Sequence, residues 1–156
     1  MDLTIHAVEC PEERAALCLA ILHALPDWFG NEAAVLDYAQ QCRNLPVFAA
    51  YDESKAVGFV ALKQHNEYTS EVSVMGLFPE FHRKGIGRML LATCEETCLT
   101  DGTRFLTVKT LADSQPDGGY AKTRAFYRAM GFVPLEIFPL HWDEANPCLL
   151  MAKHLN

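Results

Sequence analysis

Apolar and polar residues alternate from position 3 to position 8, the two-residue period of a strand with one buried face. Pro11 follows, a residue suited to the first turn of a helix. Glu12 and Glu13 sit where the helix dipole favours negative charge. The helix predicted from Pro11 reaches about Leu25 and is apolar nearly all round between Ala15 and Leu22, which predicts deep burial. The run Pro26-Asp27-Trp28-Phe29-Gly30-Asn31 breaks it. A second helix is predicted from about Glu32, with Val35, Tyr38, Ala39 and Cys42 spaced along one face, and Pro46 stops it.

Residues 47–51 and 57–63 read as two strands joined by the polar turn Asp52-Glu53-Ser54-Lys55. A polar link, 64–66, leads into a third strand over 68–78, so the three form an antiparallel meander. Gly76 within the third predicts a bulge or the close approach of a ligand. A helix is predicted over 85–100, with Ile86, Met89, Leu90, Thr93, Cys94 and Thr97 on one face and Asp101-Gly102 as its stop. The strand over 104–111 then makes a strand–helix–strand unit, which predicts a parallel crossover. Residues 112–119 are a polar loop containing Pro and Gly. The last helix is predicted over 120–130, with Ala125, Phe126, Ala129 and Met130 inward and Gly131 as its cap. Strands over 132–138 and 148–153 close the chain, joined by a loop that carries His141 and Trp142. This order predicts the α+β class: a mixed, mostly antiparallel seven-stranded sheet flanked by four helices on both faces. Residues 1–156 are expected to form a single domain, with no repeat or linker.

Composition narrows the function. A chain of 156 residues that is 50% hydrophobic and 21% charged can bury a real core. Its longest apolar runs fall far short of a bilayer span, so no membrane association is expected. The start, Met1-Asp2-Leu3, lacks a basic region followed by an apolar stretch, and a cytoplasmic location is expected. A net charge of −7 argues against a nucleic-acid surface. The six cysteines contain no C-x-x-C pair and read as free thiols of a reducing compartment. The histidines show no ligand spacing, so no metal site is expected.

Against that acidic background one basic stretch stands out, His82-Arg83-Lys84-Gly85-Ile86-Gly87-Arg88, between a strand and a helix. The first turn of a helix carries N–H groups without internal partners, and the dipole makes that end positive. Glycines let the backbone approach an anion closely. The stretch therefore predicts a phosphate-binding turn. The G-x-x-x-x-G-K-[ST] loop is absent, and so is the third glycine of the dinucleotide fingerprint.

Two motifs set in this element order resemble the GCN5-related N-acetyltransferase (GNAT) superfamily. Residues 82–87 resemble the acyl-CoA signature Q/R-x-x-G-x-G/A, with His82 at its first position. Residues 125–132, Ala-Phe-Tyr-Arg-Ala-Met-Gly-Phe, resemble the second family motif around F-Y-x-x-x-G-F. The resemblance covers nearly the whole chain. It implies an N-acetyltransferase that moves an acetyl group from acetyl-CoA to a primary amine by direct attack, with no metal. A small amine is the expected acceptor and a homodimer an assembly common in the superfamily. The alternative is an acyl-CoA-binding sensor or scaffold without catalysis, which would dispense with Tyr127 and Glu71.

The resemblance also assigns roles. The N–H groups of Arg83, Lys84, Gly85, Ile86, Gly87 and Arg88 hold the pyrophosphate, and Met75, Gly76 and Leu77 pair with the pantetheine arm and polarise the thioester carbonyl. Tyr120 occupies the position at which many relatives carry an Asn that bonds the CoA arm. Tyr127 is the expected general acid, because a phenol stays protonated at neutral pH and can protonate a thiolate. Glu71 is the expected base, acting directly or through water from an apolar cleft. His65, Glu67 and Tyr68 lie near it and share the candidacy. Trp28, Phe29, Glu67 and Tyr68 are the expected substrate-binding residues, joined by Trp142. Asp27, Glu67 and Glu71 favour a cationic acceptor.

Overall fold

The computed structural model describes residues 1–113 and 119–155, and the loop expected over 112–119 lies mostly outside them. The strands are β1 (Leu3–Ala7), β2 (Val47–Asp52), β3 (Lys55–Gln64), β4 (Thr69–Leu77), β5 (Phe105–Leu111), β6 (Val133–Asp143) and β7 (Asn146–His154). The helices are α1 (Pro11–His23), α2 (Glu32–Cys42), α3 (Ile86–Thr100) and α4 (Tyr120–Ala129), with a 3₁₀ turn at Pro79–Phe81. The seven strands form one mixed sheet in the order β1-β2-β3-β4-β5-β7-β6. The final strand thus pairs between β5 and β6, a placement that element order alone does not dictate.

The chain divides into two compact units, one of residues 1–63 and 72–97, the other of 64–71 and 98–156. In the first, β1, β2 and β3 pair antiparallel, with an irregularity between Ala50 and Tyr51. Its core joins Cys18, Ile21, Leu22 and Leu25 to Val35, Ala39 and Cys42 of α2 and to Val47, Phe59 and Val74 of the sheet. Asn31 starts α2, its Oδ1 accepting the Ala34 N–H at 3.1 Å. Arg14 on α1 donates to the carbonyls of Val8 at 2.6 Å and Arg43 at 3.2 Å, tying down both ends of the helical pair.

α1 buries one face rather than its whole circumference. Cys18, Ile21 and Leu22 are inside, whereas Ala16 and Ala20 are exposed. The apolar run misled because alanine costs little when it faces water and favours the helix for its own reasons.

In the second unit β5 and β6 each pair antiparallel with β7. β6 runs to Asp143, so His141 and Trp142 lie on a strand and not on the expected loop; the turn shrinks to Glu144-Ala145, where Asn146 Nδ2 donates to Asp143 Oδ1 at 2.8 Å. Pro134 and Pro139 suit an edge strand, where a missing N–H costs nothing. The inward residues of α4 are Arg124 and Tyr127; Ala125 and Ala129, expected inside, are exposed. Burial there follows a buried arginine whose ion partner, Asp113, is exposed. Arg124 donates to the Leu111 carbonyl at 2.7 Å and meets Asp113 at 2.7 Å. A periodicity count does not anticipate an inward arginine.

Candidate active site

The basic stretch begins where β4 ends. Phe78 leads into the 3₁₀ turn, and Phe81 N–H and His82 N–H close it on the carbonyls of Phe78 and Pro79. His82 then turns back, donating from Nε2 to the Leu77 carbonyl at 2.9 Å. Its ring meets Trp28 edge-on, with centroids 5.7 Å apart. The residue that departs from the family signature therefore fastens the loop to the strand before it. Arg83 and Gly85 both adopt left-handed backbone, with φ of 62° and 79°. Alternating hand in successive residues turns their N–H groups toward one side, the concavity that binds anions. Helix α3 follows at once; Met89 N–H reaches the Gly85 carbonyl at 3.2 Å. The amides of Ile86, Gly87 and Arg88 precede any residue with a helical carbonyl to meet. Arg83, Lys84 and Arg88 are exposed around them, while Ile86 and Gly87 are buried. A pyrophosphate fits this arrangement: donors, dipole and cations all favour negative charge.

Sequence reasoning missed one cation here. Lys55, at the start of β3, places its ammonium 5.8 Å from the Phe81 ring centroid, and Lys84 lies 5.9 Å from the same ring. Only the fold brings residue 55 to the same ring as residue 84.

Upstream on β4, Met75 and Leu77 are half-buried and Gly76 is buried. A side chain at Gly76 would meet Ile21 at 3.0 Å, Leu25 at 3.2 Å and Phe59 at 3.5 Å. The missing Cβ thus lets α1 lie close on the sheet. Helix packing is a sufficient reason for this glycine. Trp28 and Phe29 also lean on the core, both folded over Leu25 by N–H bonds to its carbonyl at 3.1 and 2.9 Å, with Phe29 edge-on to Tyr38. Their place is that of anchors more than of a pocket wall.

The second unit holds the candidate proton-transfer groups. The hairpin between β3 and β4 is organised by Asn66, whose Oδ1 accepts the N–H groups of Tyr68 at 2.8 Å and Thr69 at 3.0 Å. His65 N–H meets the Thr69 carbonyl at 2.9 Å. Glu71 follows on β4 and is buried. Its Oε1 lies 2.6 Å from His65 Nε2, and Lys109 Nζ on β5 lies 3.2 and 3.3 Å from its two oxygens. The setting is therefore ionic, where an apolar cleft was expected. Lys109, 38 residues away in sequence, was not foreseen; the signal was a lysine in the middle of a strand. Nearby Cys148 is buried, and that burial pushes its thiol up, with the Glu71 carboxylate acting in the same direction and Lys109 against it.

Glu67 and Tyr68 are exposed. Tyr68 lies under the Arg104 guanidinium at 5.5 Å, and its carbonyl accepts the N–H groups of Arg104 and Phe105. Of the acidic residues expected to favour a cationic acceptor, Glu71 is already met by Lys109. Tyr120 opens α4, half-buried. Two turns further on, Tyr127 is buried, with its ring edge-on to Phe126 at 5.3 Å and Phe132 at 5.4 Å. Gly131, with φ of 97°, ends the helix and returns Phe132 N–H to the Tyr127 carbonyl at 3.0 Å. Both aromatic neighbours in the motif thus hold the Tyr127 ring in one orientation. Trp142 is exposed on β6.

Among the described residues no group of three or more His, Cys, Asp or Glu side chains is arranged to hold a metal ion. No helix among them is long and apolar enough to cross a membrane.

Comparison with known proteins bears on the same elements. Residues 43–134 match the family model of the acetyltransferase (GNAT) domain, a span that runs from the end of α2 to the start of β6. No curated protein matches the sequence. Among solved structures, a GNAT-family protein from Desulfovibrio desulfuricans superposes with a TM-score of 0.82 at 16% identity, covering 99% of this chain and 100% of its own. The PaiA N-acetyltransferase from Thermoplasma acidophilum, solved in complex with coenzyme A, gives 0.74 at 16% identity over 99% of both chains. A GNAT acetyltransferase from Elizabethkingia anophelis with acetyl-CoA bound gives 0.70 at 16% identity over 98% of both.

Proposed function

The chain belongs to the GNAT acetyltransferase family, and on that footing we propose that it transfers the acetyl group of acetyl-CoA to the primary amine of a small molecule. The observation that carries the reading is the turn at 83–88. Two left-handed residues, a helix N-terminus and three exposed cations converge there, which suits the pyrophosphate of the acyl donor.

The chemistry asks four things of the chain: hold the donor, polarise its carbonyl, deprotonate the amine and protonate the thiolate that leaves. Arg83, Lys84 and Arg88 offset the pyrophosphate charge while the N–H groups of 83–88 bond its oxygens. Met75, Gly76 and Leu77 offer main-chain groups to the pantetheine arm, and an N–H there polarises the thioester carbonyl. Tyr120 supplies a further bond to the arm. The base is centred on Glu71, directly or through a neighbour. Tyr127 gives its phenolic proton to the departing sulfur; the two flanking phenylalanines support that role by fixing its ring. Glu67 and Tyr68, both exposed, meet the acceptor. We place the enzyme in the cytoplasm as a single catalytic domain. The exposed apolar side chains Val133, Leu135, Ile137 and Leu140 of β6 favour a homodimer.

Calorimetry with acetyl-CoA followed by thiol release over a panel of small amines tests the proposal. Binding and release with at least one amine are expected. Binding with no release across the panel indicates the sensor instead, and no binding overturns both.

A further inference from the structure

Within the acetyl-transfer reading above, on which this inference rests, we propose that the proton of the attacking amine goes to Nδ1 of His65. Glu71 is then the positioning residue that orients the imidazole, and Lys109 holds Glu71 in place.

The geometry of the cluster makes the argument. A carboxylate offers only acceptor atoms, so the 2.6 Å contact between Glu71 Oε1 and His65 Nε2 requires the proton on Nε2. A neutral imidazole protonated on Nε2 keeps its lone pair on Nδ1. Nδ1 makes no hydrogen bond to any described residue. The Glu71 carboxylate, by contrast, is engaged. Its side chain is 9% exposed, and both oxygens face the Lys109 ammonium while one also bonds His65. The His65 side chain is 35% exposed. Of the two groups, His65 is the one that an acceptor arriving from solvent can reach. Its backbone is held as well, by the N–H bond to Thr69 and by the Asn66 turn beside it. Among the described residues, the charged and titratable groups that face this cluster are Glu71 on β4, Lys109 on β5 and Cys148 on β7. The hairpin holds the imidazole by its backbone, β4 orients the ring by its carboxylate, and β5 balances the charge of that carboxylate.

The step balances. The amine lone pair forms a C–N bond to the thioester carbonyl carbon, and the C–S bond breaks with its electron pair on sulfur. The ammonium proton of the new amide moves to His65 Nδ1, and the thiolate takes the phenolic proton of Tyr127. Return of one proton from the imidazolium to the phenolate, through solvent, resets both groups. No oxidant or further reactant enters.

Two measurements test this. The pH dependence of kcat/KM is recorded for the wild type, His65→Gln and Glu71→Gln. The expected result is that His65→Gln lowers turnover about 10²-fold and loses the limb that the wild type shows on the acid side. Glu71→Gln lowers turnover about tenfold and keeps that limb, because an amide oxygen can still accept from Nε2. A limb retained in His65→Gln, whatever Glu71→Gln does, overturns the proposal. Imidazole ¹⁵N shifts of the free protein give the second readout: the neutral His65 ring should be the Nε2–H form, and an Nδ1–H form overturns the proposal. That spectrum needs no substrate. A wild type that acetylates no amine therefore counts against the acetyl-transfer reading alone, while the tautomer still decides the His65 assignment.

Discussion

The turn at 82–88 and the cluster around Glu71 are built by opposite means. The turn is seven consecutive residues, and its chemistry is mostly main chain: left-handed φ at Arg83 and Gly85, free amides at the start of α3, and exposed cations around them. The cluster is side chains brought from 65, 71, 109 and 148 on four segments, and its chemistry is ionic and centred on a buried carboxylate. A site made of backbone tolerates side-chain change as long as φ is allowed and charge is kept. A site made of buried side chains fails when one partner is lost, because the others stay behind without their counter-charge.

The sharpest break in that comparison comes at Tyr127. Replacing it with Phe keeps the ring between Phe126 and Phe132 and removes the phenolic hydroxyl, the proposed proton donor. Turnover should fall about 10²-fold with acetyl-CoA affinity unchanged, as read by steady-state kinetics beside calorimetry. Loss at the cluster is next. Lys109→Met leaves the Glu71 carboxylate without its ammonium, and unfolding in urea should show a loss of about 1–3 kcal/mol. A variant as stable as the wild type would mean that the carboxylate does not depend on Lys109.

The turn should respond more mildly and through φ alone. A Cβ at Gly85 meets nothing within 4 Å, yet φ there is 79°. Gly85→Ala should weaken acetyl-CoA binding about tenfold, the equivalent of about 1–2 kcal/mol of left-handed strain. Gly85→Asn, which tolerates that region, should lose less. Equal losses from the two would point to a clash with the ligand in place of strain.

The smallest effect is a pH dependence of stability. Burial raises the Cys148 thiol in the folded chain above its unfolded value. The folded form then keeps its proton where the unfolded form gives it up, so the contribution is complete below the ordinary thiol range. It is lost as pH climbs from about 8.5 toward the folded value. Cys148→Ser should flatten the fall in stability above that pH. An unchanged slope would remove Cys148 as its source.

The same contrast explains what could be read from the chain. The turn was legible because a local stretch encodes it: a strand, glycines, arginines and a helix follow one another. Gly131 and the Phe-Tyr pair of α4 were legible for the same reason. The pairing of β7 between β5 and β6 was not, since strand neighbours are chosen across the sheet and leave no mark in element order. Lys109 and Lys55 escaped notice because each meets its partner only after the chain has folded. Gly76 was noticed, but the helix packed on it explains it without a ligand. α4 misled through its alanines, which suit a helix wherever they point, while the buried residue is an arginine with an ion partner.

The central claim is the proposed assignment of roles: the turn binds the acyl donor, and Tyr127 protonates the departing thiolate. Thiol release as a function of acetyl-CoA concentration tests it most directly, comparing the wild type with Arg83→Ala/Lys84→Ala/Arg88→Ala and with Tyr127→Phe. The account predicts that the triple variant raises KM for acetyl-CoA at least about tenfold with kcat nearly unchanged, while Tyr127→Phe lowers kcat and leaves that KM alone. A triple variant that loses kcat at unchanged KM, or a Tyr127→Phe variant that turns over as the wild type does, would contradict it.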